Sequence, residues 1–477
     1  MAAQLDAPGP TDYRNAAASV TDAPSPVAGG LNERQQVSER IKLGRRFVRW
    51  HGALLALSLG MAGAACTPIG NQHPDWPEAT RKWYERAQAS YRAVDFEDAS
   101  KAIEKALKND PEIPEVRLLA AKVALAELDY ERALLHALEL PGTEASGLRA
   151  RAYWYSGRIP EAAGELEQVV ADPDVRDGWA EGVLELARQG HGRRPFTKTG
   201  DLLAVMEMPR LNTRAMLVPV ELNGQPVLAM LSTGQAEVVL DSAGGRQPSW
   251  VSLRFGGRVE VKDVPALTKD LSGISRELNA PVKLLLGTHL LRHLNATFDF
   301  RGRQFVVRNY EPPAPPLATR VPLAYVRGGG MVVRSQIGID DQAPYFSLFM
   351  DTGSQLPVAL DDSAWERTSV EPGELAPVRG SGGLKQARLN EVRLGAFGIP
   401  SVPAMSGVKF DELESTLGVE LDGLIGAGIL GDFRITLSEQ GKALWVEDMP
   451  PEPALPAGPV EPSPAPPESA NPIDAAG

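Results

Sequence analysis

The chain has 477 residues, a formal charge of -12, one cysteine and six histidines. At roughly 100 to 200 residues per domain this length implies about three domains, and the acidic balance excludes nucleic acid or anionic lipid as the main electrostatic partner, because phosphate needs a basic face. One cysteine excludes an internal disulfide, and the scattered histidines lack the spacing of a structural zinc site, so neither a metal nor a cofactor is expected.

In chain order, residues 1–39 are rich in Ala, Gly, Pro, Ser and Asp without apolar periodicity, a composition expected to be disordered. Residues 40–66 begin with Arg40, Lys42, Arg45, Arg46 and Arg49, continue with an apolar run from Gly52 to Ala65, and end at Cys66. A basic flank, a short apolar run and small residues are the parts of an export signal, and the run is too short to span a bilayer comfortably. The segment resembles a bacterial lipoprotein signal. That resemblance implies an exported protein anchored to an envelope membrane through a lipid on Cys66, although Gly63 stands where such signals usually carry a larger aliphatic residue. A plain secretory signal cut after Ala64, or a buried apolar helix, fits the same residues.

Residues 74–190 show apolar residues at helical spacing, broken at Pro111, Pro141-Gly142 and Pro173, which predicts a helical domain. Asp95-Phe96-Glu97-Asp98-Ala99 returns 34 residues later as Asp129-Tyr130-Glu131-Arg132-Ala133, and more loosely as Arg158-Ile159-Pro160-Glu161-Ala162. This period, with Trp83 and the small residues Ala87, Ala99 and Ala106, resembles tetratricopeptide repeats, which implies stacked helix pairs that bind a protein partner. About three repeats are expected, ending with a helix from Val175 to Arg188. A generic helical bundle is the other reading.

From Ala204 the pattern becomes short Val-, Leu- and Phe-rich runs broken by Gly, Pro and Asn-Gly, which predicts strands. A stiff Pro-rich connector at 311–319 divides two units, 204–310 and 320–449, before a Pro- and Ala-rich tail at 450–477 that is expected to be disordered. In the first unit a strand enters a tight Asn223-Gly224 hairpin and leads through Val227 to Leu231 into Ser232-Thr233-Gly234. In the second, Tyr345 to Met350 leads into Asp351-Thr352-Gly353-Ser354. Val238 to Asp241 then matches Val358 to Asp361, and Leu285-Leu286-Gly287 matches Leu424-Ile425-Gly426. Each glycine is followed ten residues later by a threonine that opens a strand, at Thr297 and Thr436.

These landmarks resemble the retropepsin-like aspartic proteases, over roughly residues 217–447. The fold class expected is therefore multidomain α + β, a tetratricopeptide-type α-solenoid followed by a mostly-β, duplicated acid-protease domain. In that family each lobe supplies one Asp-Thr-Gly. Two carboxylates close together cannot both ionise, so they share a proton, and one activates water while the other protonates the peptide carbonyl. The resemblance assigns catalysis to Asp351, Thr352 and Gly353, with the threonine hydroxyl bracing the two loops. The first lobe offers Ser232, Thr233 and Gly234 in their place. A hydroxyl at Ser232 cannot share a proton as a carboxylate does.

The lobes differ in length as well: 53 residues separate Gly234 from Gly287, and 73 separate Gly353 from Gly426. The surplus contains Gly380, Ser381, Gly382 and Gly383, where the family places the flap that closes over substrate; an ordinary loop is the other reading. His289 and His293, four apart, lack a third ligand and read as a satisfied or exposed pair. Three functions remain open: an aspartic endopeptidase formed when two second lobes meet in a homodimer, a pseudoprotease that holds an extended peptide or protein ligand, and a scaffold whose helical repeats bind the partner.

Overall fold

The computed structural model describes residues 73, 75–210, 214–378 and 383–448. The chain combines a helical N-terminal region with a β-rich C-terminal region. Among the described residues seven helices come first: α1 (Glu78–Arg92), α2 (Phe96–Asn109), α3 (Pro114–Ala126), α4 (Tyr130–Ala137), α5 (Thr143–Tyr155), α6 (Ile159–Ala171) and α7 (Gly178–Gln189). The 34-residue echo has a geometric counterpart. Val94 and Leu128 both take positive φ, 60° and 56°. The next residues, Asp95 and Asp129, cap α2 and α4 by accepting from Asp98 N and Arg132 N, each at 3.1 Å. In the third copy Arg158 has no carboxylate to offer, and α6 lacks a side-chain cap; Asp177 supplies one for α7 instead. No helix among the described residues is long and apolar enough to cross a membrane.

Strand structure starts at Thr197, ahead of the expected Ala204. The short strand Thr197–Gly200 pairs with the edge formed by Val259 to Lys262, and its polar sequence carries no alternation that could announce it. The first lobe is a seven-stranded sheet in which Ser249–Phe255 also pairs back onto Val259–Lys269, so the sheet curls on itself. The second lobe is an eight-stranded sheet.

The lobes share one pattern of pairing. The strand that precedes each triplet, Gln225–Leu231 or Tyr345–Asp351, runs parallel to the strand carrying the aliphatic pair, with Leu231 opposite Leu286 and Asp351 opposite Gly426. The strand that follows each triplet lies antiparallel to that same partner. A third sheet of six strands belongs to both lobes. At its centre Thr297–Asp299 pairs with Phe433–Ser438, and the hydroxyls of Thr297 and Thr436 meet at 2.8 Å. The two threonines are thus neighbours across the join; Thr297 opens its strand as expected, but Thr436 lies inside one that already begins at Phe433.

The helical region touches both lobes. Ala87, Ala99, Val116 and Ala120 of the first helices share a core with Val332, Phe349, Ala359 and Leu424 of the second lobe. At the other end, Ile159, Val183 and Leu186 pack with Trp250 and Leu267 of the first lobe, and the Trp250 indole donates to the Leu186 carbonyl at 2.8 Å. Alternation within the strands explains this. Residues such as Leu348 and Met350 face the core beneath the shared sheet, while Phe349 between them faces the helices.

Candidate functional site

The two triplets meet within one chain. Thr233 Oγ1 donates to the Met350 carbonyl at 2.8 Å and accepts from Thr352 N at 2.9 Å. Thr352 Oγ1 donates to the Leu231 carbonyl at 3.0 Å and accepts from Thr233 N at 3.0 Å. Each hydroxyl therefore serves the other loop's N–H and the last carbonyl before the other triplet. Both threonines are buried, so these four contacts satisfy backbone groups that no water reaches. A short side chain ending in a hydroxyl is what this position requires.

Glycine is required by close approach. Asp351 Oδ1 accepts from Gly353 N at 2.8 Å, which folds the second loop around its own carboxylate. A Cβ on Gly353 would sit 3.0 Å from that oxygen, and one on Gly234, in the opposite lobe, 2.7 Å from it. The Asp351 carboxylate thus lies at the seam, against the glycines of both triplets. The mirrored position is Ser232, buried, with its N–H donating to Leu286 O at 3.1 Å. The glycine after each aliphatic pair follows the same logic. A Cβ on Gly287 would stand 2.2 Å from Glu237 O, and one on Gly426 2.5 Å from Leu356 O. The chain just past each triplet crosses directly over these glycines.

Two solved structures resemble part of this arrangement. A retropepsin-like aspartic protease from Rickettsia conorii aligns with 28% of this chain and 91% of its own, at 16% identity and a TM-score of 0.21. Basic 7S globulin from soybean aligns with 52% of this chain and 96% of its own, at 9% identity and a TM-score of 0.35. No protein-family model matches the sequence, and no curated protein matches it. Both structural likenesses are weak.

The surplus length of the second lobe forms the hairpin Ala376–Pro377 with Lys385–Leu394, closed by a bond from Val378 N to Leu384 O at 2.9 Å. Gly383 takes φ +109° with open space around it, while Gly380, Ser381 and Gly382 lie outside the described residues. Cys66 lies outside them too. Among the described residues no group of three or more His, Cys, Asp or Glu could hold a metal ion.

His289 is buried in a polar junction that the sequence does not announce, while His293, one turn further on, is exposed and stacks on the Phe196 ring with centroids 4.5 Å apart. Glu237, three residues past the first triplet, accepts from the indoles of Trp154 at 3.1 Å and Trp179 at 3.2 Å and meets His289 Nδ1 at 3.3 Å. Burial pushes the Glu237 carboxyl up; the His289 hydrogen bond and charge, with both indole donors, more than reverse this and leave it below its ordinary range. Burial holds His289 below its ordinary value despite Glu237. At neutral pH an ionised glutamate therefore faces uncharged imidazole, so the contact is a charge-assisted hydrogen bond. This network ties α5 and α7 to the loop that carries the first triplet. Its signal in the sequence is faint, a lone acidic residue within the apolar stretch Ala236 to Leu240.

Proposed function

We propose that the chain is a catalytically inactive relative of the retropepsin-like aspartic proteases, which holds an extended peptide or protein segment in the cleft at the seam of its lobes. The observation that carries this is the reciprocal Thr233–Thr352 exchange inside one chain, which sets Ser232 at the position mirroring Asp351. Hydrolysis by this family's route needs two carboxylates that share one proton. A serine hydroxyl neither ionises in the working range nor shares a proton with Asp351 as a second acid would. The peptide would add as a strand along the cleft, beneath the hairpin near Gly383. Pairing two second lobes in a homodimer would first require the same threonine loops to part, which speaks for the inactive reading over the dimeric endopeptidase.

In this reading the helices form a tetratricopeptide-type array, supported by the matching caps at Asp95 and Asp129, and offer a surface to a protein partner. Cys66 would carry a lipid that anchors the exported protein in a bacterial cell envelope. Mass spectrometry of the mature N-terminus tests that part: a diacylated Cys66 supports it, and an unprocessed chain overturns it.

The catalytic part is tested with the parent, Asp351→Asn and Ser232→Asp on an unbiased peptide library at acidic pH. The parent and Asp351→Asn are expected to leave the peptides intact, and Ser232→Asp to gain cleavage. Cleavage by the parent that disappears in Asp351→Asn would overturn the inactive reading.

A further inference from the structure

A cavity of about 280 Å³ opens where the helical region, the first lobe and the second lobe meet. Three cations line it, Lys198 and Arg292 from the first lobe and Lys442 from the second, against one carboxylate, Glu311. That carboxylate is already engaged, accepting from the Ser438 hydroxyl and from Glu439 N at 2.6 Å.

Arg292 is the informative residue. It is 5% exposed, and the partners of its guanidinium are neutral: Nη1 donates to the Tyr130 hydroxyl at 3.0 Å, and the rings of Tyr155 and Tyr325 lie 5.3 and 5.0 Å away. Its Nη2 is buried without a hydrogen-bond partner. A buried guanidinium with an unmet donor is costly, and proteins ordinarily supply an acceptor. Lys198 Nζ has three donors and directs two of them to the carbonyls of His293 at 2.7 Å and Arg308 at 3.3 Å. Burial lowers its pKa, a shift that an anion beside it would oppose.

We infer that this cavity binds a small anion, a carboxylate or a phosphate. Lys198 and Lys442 receive its oxygens, the Arg292 guanidinium in the wall behind adds its charge, and any apolar part lies against Leu128 and the rings of Tyr130 and Tyr155. The volume, just below the range of typical small-molecule pockets, suits a compact metabolite rather than a polymer. Because the wall draws on all three parts of the fold, the anion acts as a clasp among them. This site is remote in chemistry from the triplets and does not depend on how they function.

The test uses the full chain and two probes, inorganic phosphate and succinate, each against chloride at matched ionic strength. At ten times its dissociation constant a bound anion is expected to raise the melting temperature by about 2–6 °C. Lys442→Gln, at an exposed position, is expected to weaken that binding at least about fivefold, an ion-pair loss of about 1 kcal/mol, without altering the melting temperature in chloride by more than about a degree. Arg292→Lys is expected to weaken it further. A response to phosphate alone or to succinate alone supports the site and names its source. Equal stabilisation by chloride, or a response that both variants leave unchanged, overturns the inference, as does a crystal grown in either anion that shows only ordered water beside Arg292.

Discussion

Thr233 and Thr352, 119 residues apart in sequence, hold their hydroxyl oxygens 3.5 Å from each other, and each binds the other's backbone N–H. Replacing Thr352 by Val keeps the shape but removes the acceptor for Thr233 N and the donor for Leu231 O. One buried N–H and one buried carbonyl are then left unmet, at about 1–3 kcal/mol each. Thr352→Val is expected to lower unfolding free energy by about 2–4 kcal/mol in urea denaturation, and Thr352→Ser by less than about 1.5 kcal/mol.

Gly234→Ala sets a Cβ 2.7 Å from the Asp351 carboxylate. The loop or the acid must shift, so a loss of about 1–3 kcal/mol is expected, together with weaker retention of any peptide the cleft holds. Gly164→Ala is the control: it lies inside α6 with nothing within 4 Å of its new atom, and is expected to stabilise by about 0.5–1 kcal/mol. Thermal melts of the two variants read opposite signs.

Acidification is expected to weaken the junction around Glu237. The folded pKa of His289 lies below its unfolded value, so the unfolded chain takes up its proton first. Its contribution is complete above about pH 6.5 and declines as the pH falls below it. Glu237, depressed as well, contributes stability that is present above its unfolded pKa and lost as the pH falls through its folded one. The signs agree. Denaturation at pH 7.5, 6.5 and 5.5 is expected to show declining stability, and His289→Asn a shallower decline; an unchanged slope in that variant would assign the effect elsewhere.

Removing the helical region uncovers Val332, Phe349, Ala359 and Leu424 on one sheet face, and Trp250 with Leu267 on the other lobe. A chain beginning at Phe196 is expected to self-associate by size-exclusion chromatography with light scattering, because exposed contiguous apolar patches of this kind drive association. A monodisperse, folded fragment would show that the helices are dispensable to the β domain.

Local chemistry was readable from the sequence, and distant pairing was not. The Asn223-Gly224 turn takes φ 50° and 81° between Leu217–Leu222 and Gln225–Leu231, as its dipeptide implies. The 34-residue echo marks two aspartates that both cap helices, and the expected last helix, Val175 to Arg188, forms from Gly178 to Gln189. Glu237 gave no such sign, because its indole partners lie 83 and 58 residues away and nothing local specifies them. Arg292 and Tyr130, separated by 162 residues, were illegible for the same reason. His289 and His293 looked unremarkable because two histidines four apart say nothing of depth.

The helices grip the second lobe through α1 to α3 and the first through α5 to α7. A two-lobed cleft ordinarily widens by rocking one half against the other about a hinge. Here the helices strap the two lobes together, so any such rocking would have to break the packing around Phe349 at one end and the Trp250–Leu186 bond at the other.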